Sequence, residues 1–178
     1  MRGRIRCGAL LFACAFLLVL PSAASARIFL ELDGIPGESN AEGFKNQIEL
    51  GSFQFGVGRL KDKAPSFSDI SVTKQLDKAS PELMLRTANG AIIPSARVRF
   101  TSSSDTGTTY LRYCFTGVRV TGFSQSSGGD RPSESVTLSY GTVVQSYTQQ
   151  DETGGAVGVF SSGWDVLKNL QFGGACDN

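Results

Sequence analysis

The chain has 178 residues, with 17 basic and 16 acidic side chains, four cysteines and no histidine. A balance this close to neutral, without a long basic cluster, leaves no electrostatic footprint for a nucleic acid. The missing histidine excludes Ser-His-Asp and Cys-His nucleophilic sites and the commonest zinc ligand sets.

Arg2, Arg4 and Arg6 precede an unbroken apolar or small run, Gly8–Leu20, and Pro21-Ser22-Ala23 leads into the A-x-A element Ala24-Ser25-Ala26. That tripartite order predicts a signal peptide over 1–26, cleaved after Ala26. The apolar run falls short of the roughly 20 residues that span a bilayer, so no stable membrane anchor is expected once the leader is removed. The product is an exported protein, periplasmic or secreted. Its single domain, 27–178, keeps 14 basic and 16 acidic side chains, a net charge of −2. A domain near this size buries roughly 70% of its unfolded surface, enough for a core without staples.

Ile28, Leu30 and Leu32 alternate with Glu31 and Asp33, the pattern of a half-buried strand closed by the turn at Gly34-Ile35-Pro36-Gly37. After a polar loop over 38–46, Ile48 and Leu50 start a second strand. Its apolar phase then flips to Phe53, Phe55 and Val57, and one extra residue at Gly51-Ser52 makes that flip, which predicts a β-bulge. Residues 56–65 carry Arg59, Lys61, Asp62 and Lys63 and read as an exposed loop. Gly56-Val57-Gly58 is no nucleotide fingerprint, since a third glycine and a following helix are missing.

Ile70, Val72 and Leu76 share one parity of the next strand. Directly afterwards comes the best-signalled helix of the domain: Ser80 is a natural N-cap, Pro81 fits the first turn, Glu82 meets the positive end of the dipole, and Gly90 can end the helix. About two turns fit between these signals, too few for an isolated helix, so it must dock on a sheet.

Ala96, Val98 and Phe100 alternate with Arg97 and Arg99, and a serine-rich turn follows at 101–107. A long strand over 108–123 puts Leu111, Tyr113 and Phe115 on one face and Arg112, Cys114 and Thr116 on the other. Gly117 marks a break, because Val118 and Val120 change phase. Beyond a loop over 124–132, Val136, Leu138 and Tyr140 face inward, and Gly141 shifts the phase toward Val143 and Tyr147. Residues 149–158 read as a glycine-rich loop. Trp164, Val166 and Leu170 supply a last apolar segment, followed by a loose tail from Gly173. Recurrent strands with phase-breaking glycines predict a mainly β fold: a β-barrel or curled two-sheet sandwich with one short flanking α-helix.

No catalytic residues, metal ligands or cofactor-binding residues emerge, and no cofactor is implied. Asp151 and Glu152 read as solvated loop charges, not as the carboxylate pair of a glycosidase. Trp164 reads as a core anchor. Cys7 and Cys14 leave with the leader, so Cys114 and Cys176 remain as a candidate disulfide in an oxidising compartment. Cys114 points away from the core and the glycines before Cys176 give slack, so an intrachain bridge, an intersubunit bridge and two free thiols all stay open.

The run Phe67-Ser-Asp-Ile-Ser-Val-Thr-Lys-Gln-Leu-Asp-Lys-Ala-Ser-Pro resembles the signature of the hemolysin-coregulated proteins (Hcp), the tube subunits of type VI secretion. Phe29-Leu-Glu-Leu-Asp-Gly-Ile-Pro-Gly-Glu-Ser resembles that family's opening strand and turn, and Gln47-Ile-Glu-Leu-Gly-Ser-Phe-Gln-Phe-Gly-Val its second strand. Pro132-Ser-Glu-Ser-Val-Thr-Leu-Ser-Tyr and Gly163-Trp-Asp resemble its closing strands. The resemblance covers nearly all of 28–170 in order. It implies a structural, non-enzymatic subunit that forms a hexameric ring with copies of itself, with secretion-system components or effector cargo as further partners. The 56–65 loop corresponds to the family's long inter-ring loop and is short and charged here. The leader departs from the family, whose tube subunits are loaded from the cytoplasm; it admits a second role, an exported Hcp-like domain acting as a secreted or surface binding module outside a tube.

Overall fold

The computed structural model describes residues 26–102, 108–174 and 176. The leader lies outside the described residues apart from Ala26, as does most of the serine-rich turn. The described elements are β1 (Arg27–Leu32), β2 (Ile48–Gln54), β3 (Val57–Gly58), β4 (Ser66–Phe67), β5 (Ile70–Gln75), α1 (Ser80–Asn89), β6 (Ile93–Thr101), β7 (Thr109–Ser126), β8 (Ser133–Ser139), β9 (Thr142–Gln150), β10 (Ala156–Asp165) and β11 (Leu170–Phe172).

Six antiparallel strands close a barrel in the order β7-β6-β1-β2-β5-β8, because β8 pairs with both β5 and β7. Of the two expected architectures the barrel forms. Three further strands, β9, β10 and β11, continue from β7 as a sheet outside it, and β3 with β4 makes a separate ribbon.

β7 belongs to both sheets. Residues 111–116 carry β6 on one edge and β9 on the other, while residues 119–126 carry β8. β8 and β9 therefore form one long antiparallel run against β7, split at Tyr140-Gly141. Gly117 has φ 62, a backbone region that a β-carbon disfavours. Opposite it, the Gly141 N–H donates to the Thr116 carbonyl at 2.8 Å. The buried parity changes there, from Tyr113 and Phe115 to Val118 and Val120. The strand thus bends at Gly117 without ending. The bulge at Gly51 also forms: β2 slips register against β5 between Leu50 and Ser52.

The barrel core contains Leu30, Ile48, Ile70, Val72, Val98, Phe115, Val136 and Leu138, all almost fully buried. Each side chain of this size contributes about 1.5–3 kcal/mol by leaving water. Phe29 is equally buried on the opposite parity, stacked on Phe44 with ring centroids 4.3 Å apart. The polar 38–46 loop thus folds over the outside of β1. Val57 and Tyr147, grouped above with inward residues, are 56% and 47% exposed. The reason is that β3 peels off into its own ribbon and β9 runs beyond the barrel. β10 starts at Ala156, inside the stretch read as loop, leaving a turn of 151–155.

The start of α1 corrects the expected cap. The cap position is Ala79, whose own side chain makes no cap bond. Asp77 shapes the turn instead: its Oδ1 accepts from the Ala79 N–H at 3.0 Å, and its carbonyl accepts from the Ser80 N–H at 3.1 Å. Ser80 is drawn into the interior. At the other end Gly90, at φ 65, donates its N–H to the Arg86 carbonyl at 3.0 Å. The helix runs ten residues, nearly three turns, and packs on β7 with Leu83 and Ala79 reaching the core.

Candidate functional site

Two strands carry a charge on their inward parity. Lys74 follows Ile70 and Val72 in β5, and Glu134 precedes Val136 and Leu138 in β8; they are 2% and 1% exposed. The Lys74 ammonium donates to Glu134 Oε2 at 2.6 Å, to Asp77 Oδ1 at 2.7 Å and to Ser80 Oγ at 3.0 Å. Its three donors are then all used. Ser80 Oγ donates to Glu134 Oε2 at 2.8 Å, and Gln125 Nε2 donates to Glu134 Oε1 at 2.8 Å. A serine beside a lysine is one arrangement for activating a nucleophile. Here the serine proton is committed to Glu134 and the ammonium to three acceptors, so the cluster ties β5, β7, β8 and α1 together and has no base to offer. Next to it lies a groove of about 840 Å³ whose wall mixes both signs of charge, with Arg27 and Arg131 against Glu38, Glu49 and Asp77. Among the described residues no three potential metal ligands converge.

A second group of charges lines the outside of the barrel. Glu31 accepts from Arg97 at 3.2 Å and from Arg99 over a shorter contact. Arg99 stands opposite Arg112 across the β6–β7 pair. Burial lowers the Arg99 pKa from its ordinary value; Glu31 opposes that shift, while Arg97 and Arg112 add to it. Arg112 also donates to the carbonyl of Cys176 at 3.0 Å.

Cys176 is also tied to β7 covalently. Cys114 and Cys176 form an intrachain disulfide with Cα atoms 5.6 Å apart. Cys114, Val144, Gly163 and Phe172 lie in one row across β7, β9, β10 and β11. Three strand spacings of about 4.8 Å separate the ends of that row, about 14 Å. The disulfide thus brings Cys176 back from the end of β11 to β7, where the sequence predicts a loose tail. Val143 faces the barrel core and Val144 faces the other way, yet each is 4% exposed. A β-carbon on Gly163 would stand 2.8 Å from the Phe172 carbonyl and 2.9 Å from Val144 Cγ2, so only glycine fits in the row at that point. Cys176 itself is 5% exposed.

Ala26 sits exposed immediately before β1, and the Arg27 N–H that follows it donates to Thr101 Oγ1 at 3.3 Å. Sequence reasoning located both cysteines but neither charge cluster. The signal was present: Lys74 and Glu134 occupy positions in the inward alternation of their strands.

The family model described as "Type VI secretion system effector, Hcp" matches residues 29–147, well over half of the chain. The chain belongs to the Hcp family. "Protein hcp1" of Pseudomonas aeruginosa is 32% identical over 107 residues, which span 58% of this chain and 66% of that relative. A solved type six secretion system protein superposes with a TM-score of 0.78 at 28% identity, covering 83% of this chain and all of that one. Hcp1 from Salmonella typhimurium gives 0.72 at 31% identity, with 83% and 100% coverage. A type VI secretion system effector from Yersinia pestis gives 0.69 at 28%, with 78% and 99% coverage. The family match stops at Tyr147, so β10, β11 and Cys176 lie beyond it.

Proposed function

We propose that this Hcp-family chain is a structural, ring-forming subunit of the tube type, built from one domain over 27–178 and acting without catalysis. The observation that carries the reading is the match across the barrel to type VI secretion proteins, and exposed apolar side chains accord with it. A closed ring of identical subunits needs a heterologous interface, two unlike faces that fit each other. Val157, Val159 and Phe160 of β10 are 62–65% exposed, and Leu60 and Met84 elsewhere are 70% and 57% exposed. Exposed apolar side chains such as these are available to pack against another subunit. Partners on this reading are copies of the chain, with secretion components or effector cargo beyond them. Light-scattering chromatography of the leaderless protein tests it: a hexamer is expected, and a strict monomer at high concentration refutes ring formation.

The basic, apolar and small-residue order of the first 26 residues favours a second reading, in which the same fold works after export as a secreted or surface binding module. Mass analysis of the N-terminus, on protein recovered from periplasm or medium, separates the two. A chain starting at Arg27 supports export with cleavage after Ala26. An intact Met1 on cytoplasmic protein removes that reading.

A further inference from the structure

We propose that the outer face of the barrel, where β1, β6 and β7 adjoin, is an anion-binding site. Its ligand is a phosphate group, held by Arg97, Arg99 and Arg112 beside Glu31.

Three guanidiniums meet one carboxylate on this face. Arg97 and Arg99 both donate to Glu31 Oε2, the first at 3.2 Å and the second over a shorter contact. Arg112 stands opposite Arg99 in the β6–β7 pairing, so their side chains leave the sheet on the same side. Its bond goes to the Cys176 carbonyl, and it has no carboxylate partner among the described residues. Three positive charges therefore face one negative, an excess of two. Nearby, Arg27 and Glu49 balance each other, so that pair does not offset the excess. Like charges directly opposite each other weaken a sheet. Water relieves them little here, because the Arg97 and Arg99 side chains are only 28% and 16% exposed. The Nε–H groups of Arg97 and Arg112 are buried and have no partner among the described residues. These guanidiniums are thus set into the surface and are not free to swing out into solvent. The lowered Arg99 pKa agrees with this, with burial as its first cause and repulsion from Arg97 and Arg112 adding to it.

The excess selects the ligand. A phosphate monoester carries a charge of about −1.5 to −2 near neutral pH, which matches it, and offers three acceptor oxygens. A guanidinium presents a planar fork of donors that fits such an oxyanion. One further carboxylate would cancel only half of the excess, and a metal cation would be repelled. Beside Arg99 opens a groove of about 510 Å³, walled also by Glu31, Lys45 and Asn46. It gives the phosphate a way in, with room for an organic group esterified to it, and Lys45 adds positive charge at its rim.

The experiment is calorimetric titration of the purified protein with inorganic phosphate, at constant ionic strength. One phosphate per chain is expected, with a Kd below about 1 mM. Arg112→Gln and Arg97→Gln are each expected to weaken binding at least about tenfold, as the loss of a charge-assisted contact does. Circular dichroism checks that both fold, and Arg97→Gln leaves the Arg112–Cys176 bond in place, so the test survives a failure of the other variant. Lys61→Gln, on the exposed 56–65 loop, is expected to bind as wild type does. Glycerol 3-phosphate then separates the sources of the ligand: equal or tighter binding supports a phosphate carried on an organic group, and clearly weaker binding supports free phosphate. The proposal is overturned if phosphate does not bind, or if both arginine variants bind it like wild type. Equal weakening by Lys61→Gln also overturns it, because the attraction is then that of the whole surface. So does binding that appears only in Asp177→Asn, because the carboxylate following Cys176 in the sequence is then the site's own anion.

Discussion

Replacing Lys74 with methionine tests what the buried cluster contributes. The change keeps most of the side-chain volume and removes one ammonium with three hydrogen bonds. Left behind are two carboxylates, Glu134 and Asp77, whose oxygens had met at one nitrogen from 2.6 and 2.7 Å. Asp77 retains an outlet, since its side chain is 10% exposed and already accepts from the Ala79 N–H. Glu134 has none; its side chain is fully buried, and Ser80 and Gln125 are its remaining donors. Breaking one side of a buried ion pair typically costs about 3–5 kcal/mol. For a domain of this size that lowers the Tm by roughly 6–20 °C, at about 2–4 °C per kcal/mol. The comparison that decides the matter is the double variant Lys74→Met with Glu134→Leu. An apolar pair in a packed site is often neutral against the ion pair it replaces, so the double variant is expected to regain most of the loss. Urea unfolding of wild type, both single variants and the double variant closes the cycle. If the two single losses simply add in the double variant, the charges are not coupled and the reasoning fails.

Gly163→Ala is expected to cost about 1–3 kcal/mol, through contacts below 3 Å with the Phe172 carbonyl and Val144; a loss below half a kcal/mol in urea unfolding refutes the tight row. Burial, followed by the Asp69 charge, pushes the Tyr140 phenol up to about 12, while an unfolded tyrosine ionises near 10. The unfolded state therefore loses its proton first, so the Tyr140 contribution is complete below pH 10 and fades as pH rises from there to about 12. Tyr140→Phe should flatten that decline and forfeit the bond to the Ser68 carbonyl at 3.1 Å, worth about 0.5–1.5 kcal/mol. Asp165 titrates below its ordinary range, first because the Lys168 N–H donates to it at 2.8 Å. Its contribution is present above the unfolded carboxylate pKa and is lost as pH falls through the lower folded value. Acid unfolding of Asp165→Asn should accordingly be less steep with pH, and an unchanged slope refutes the assignment.

Much of the barrel was legible because its strands alternate cleanly: Leu30 with Glu31, Ile70 and Val72 with Ser71, Val136 and Leu138 with Thr137. The bulge at Gly51 and the bend at Gly117 were legible for the same reason, since a phase flip has few other causes. Local signals misled where tertiary partners outbid them. Ser80 reads as a cap in isolation, but Lys74 and Glu134 offer its hydroxyl a charged network that a backbone N–H cannot match. Phe44 sits in a polar loop and gains its meaning from Phe29 of a different element. Both cysteines are legible as a candidate pair, but the intrachain pairing is not, because it depends on the register of β7, β9, β10 and β11, which no single stretch encodes.

The order of strands around the barrel also governs when it can form. β1 pairs Arg27 with Thr101, and β5 pairs Ile70 with Leu138, so neighbours in space are distant along the chain. The ring is completed by β8, which must find β5 and β7 at once. Until residue 139 has been made, the growing chain presents two unpaired strand edges and an open apolar interior. Topologies dominated by such distant pairings fold on the slow side, in about milliseconds to seconds. For a chain that crosses a membrane as an extended thread, the delay keeps it threadable. For one that folds where it is made, the same delay is a window in which those edges can meet another copy and aggregate.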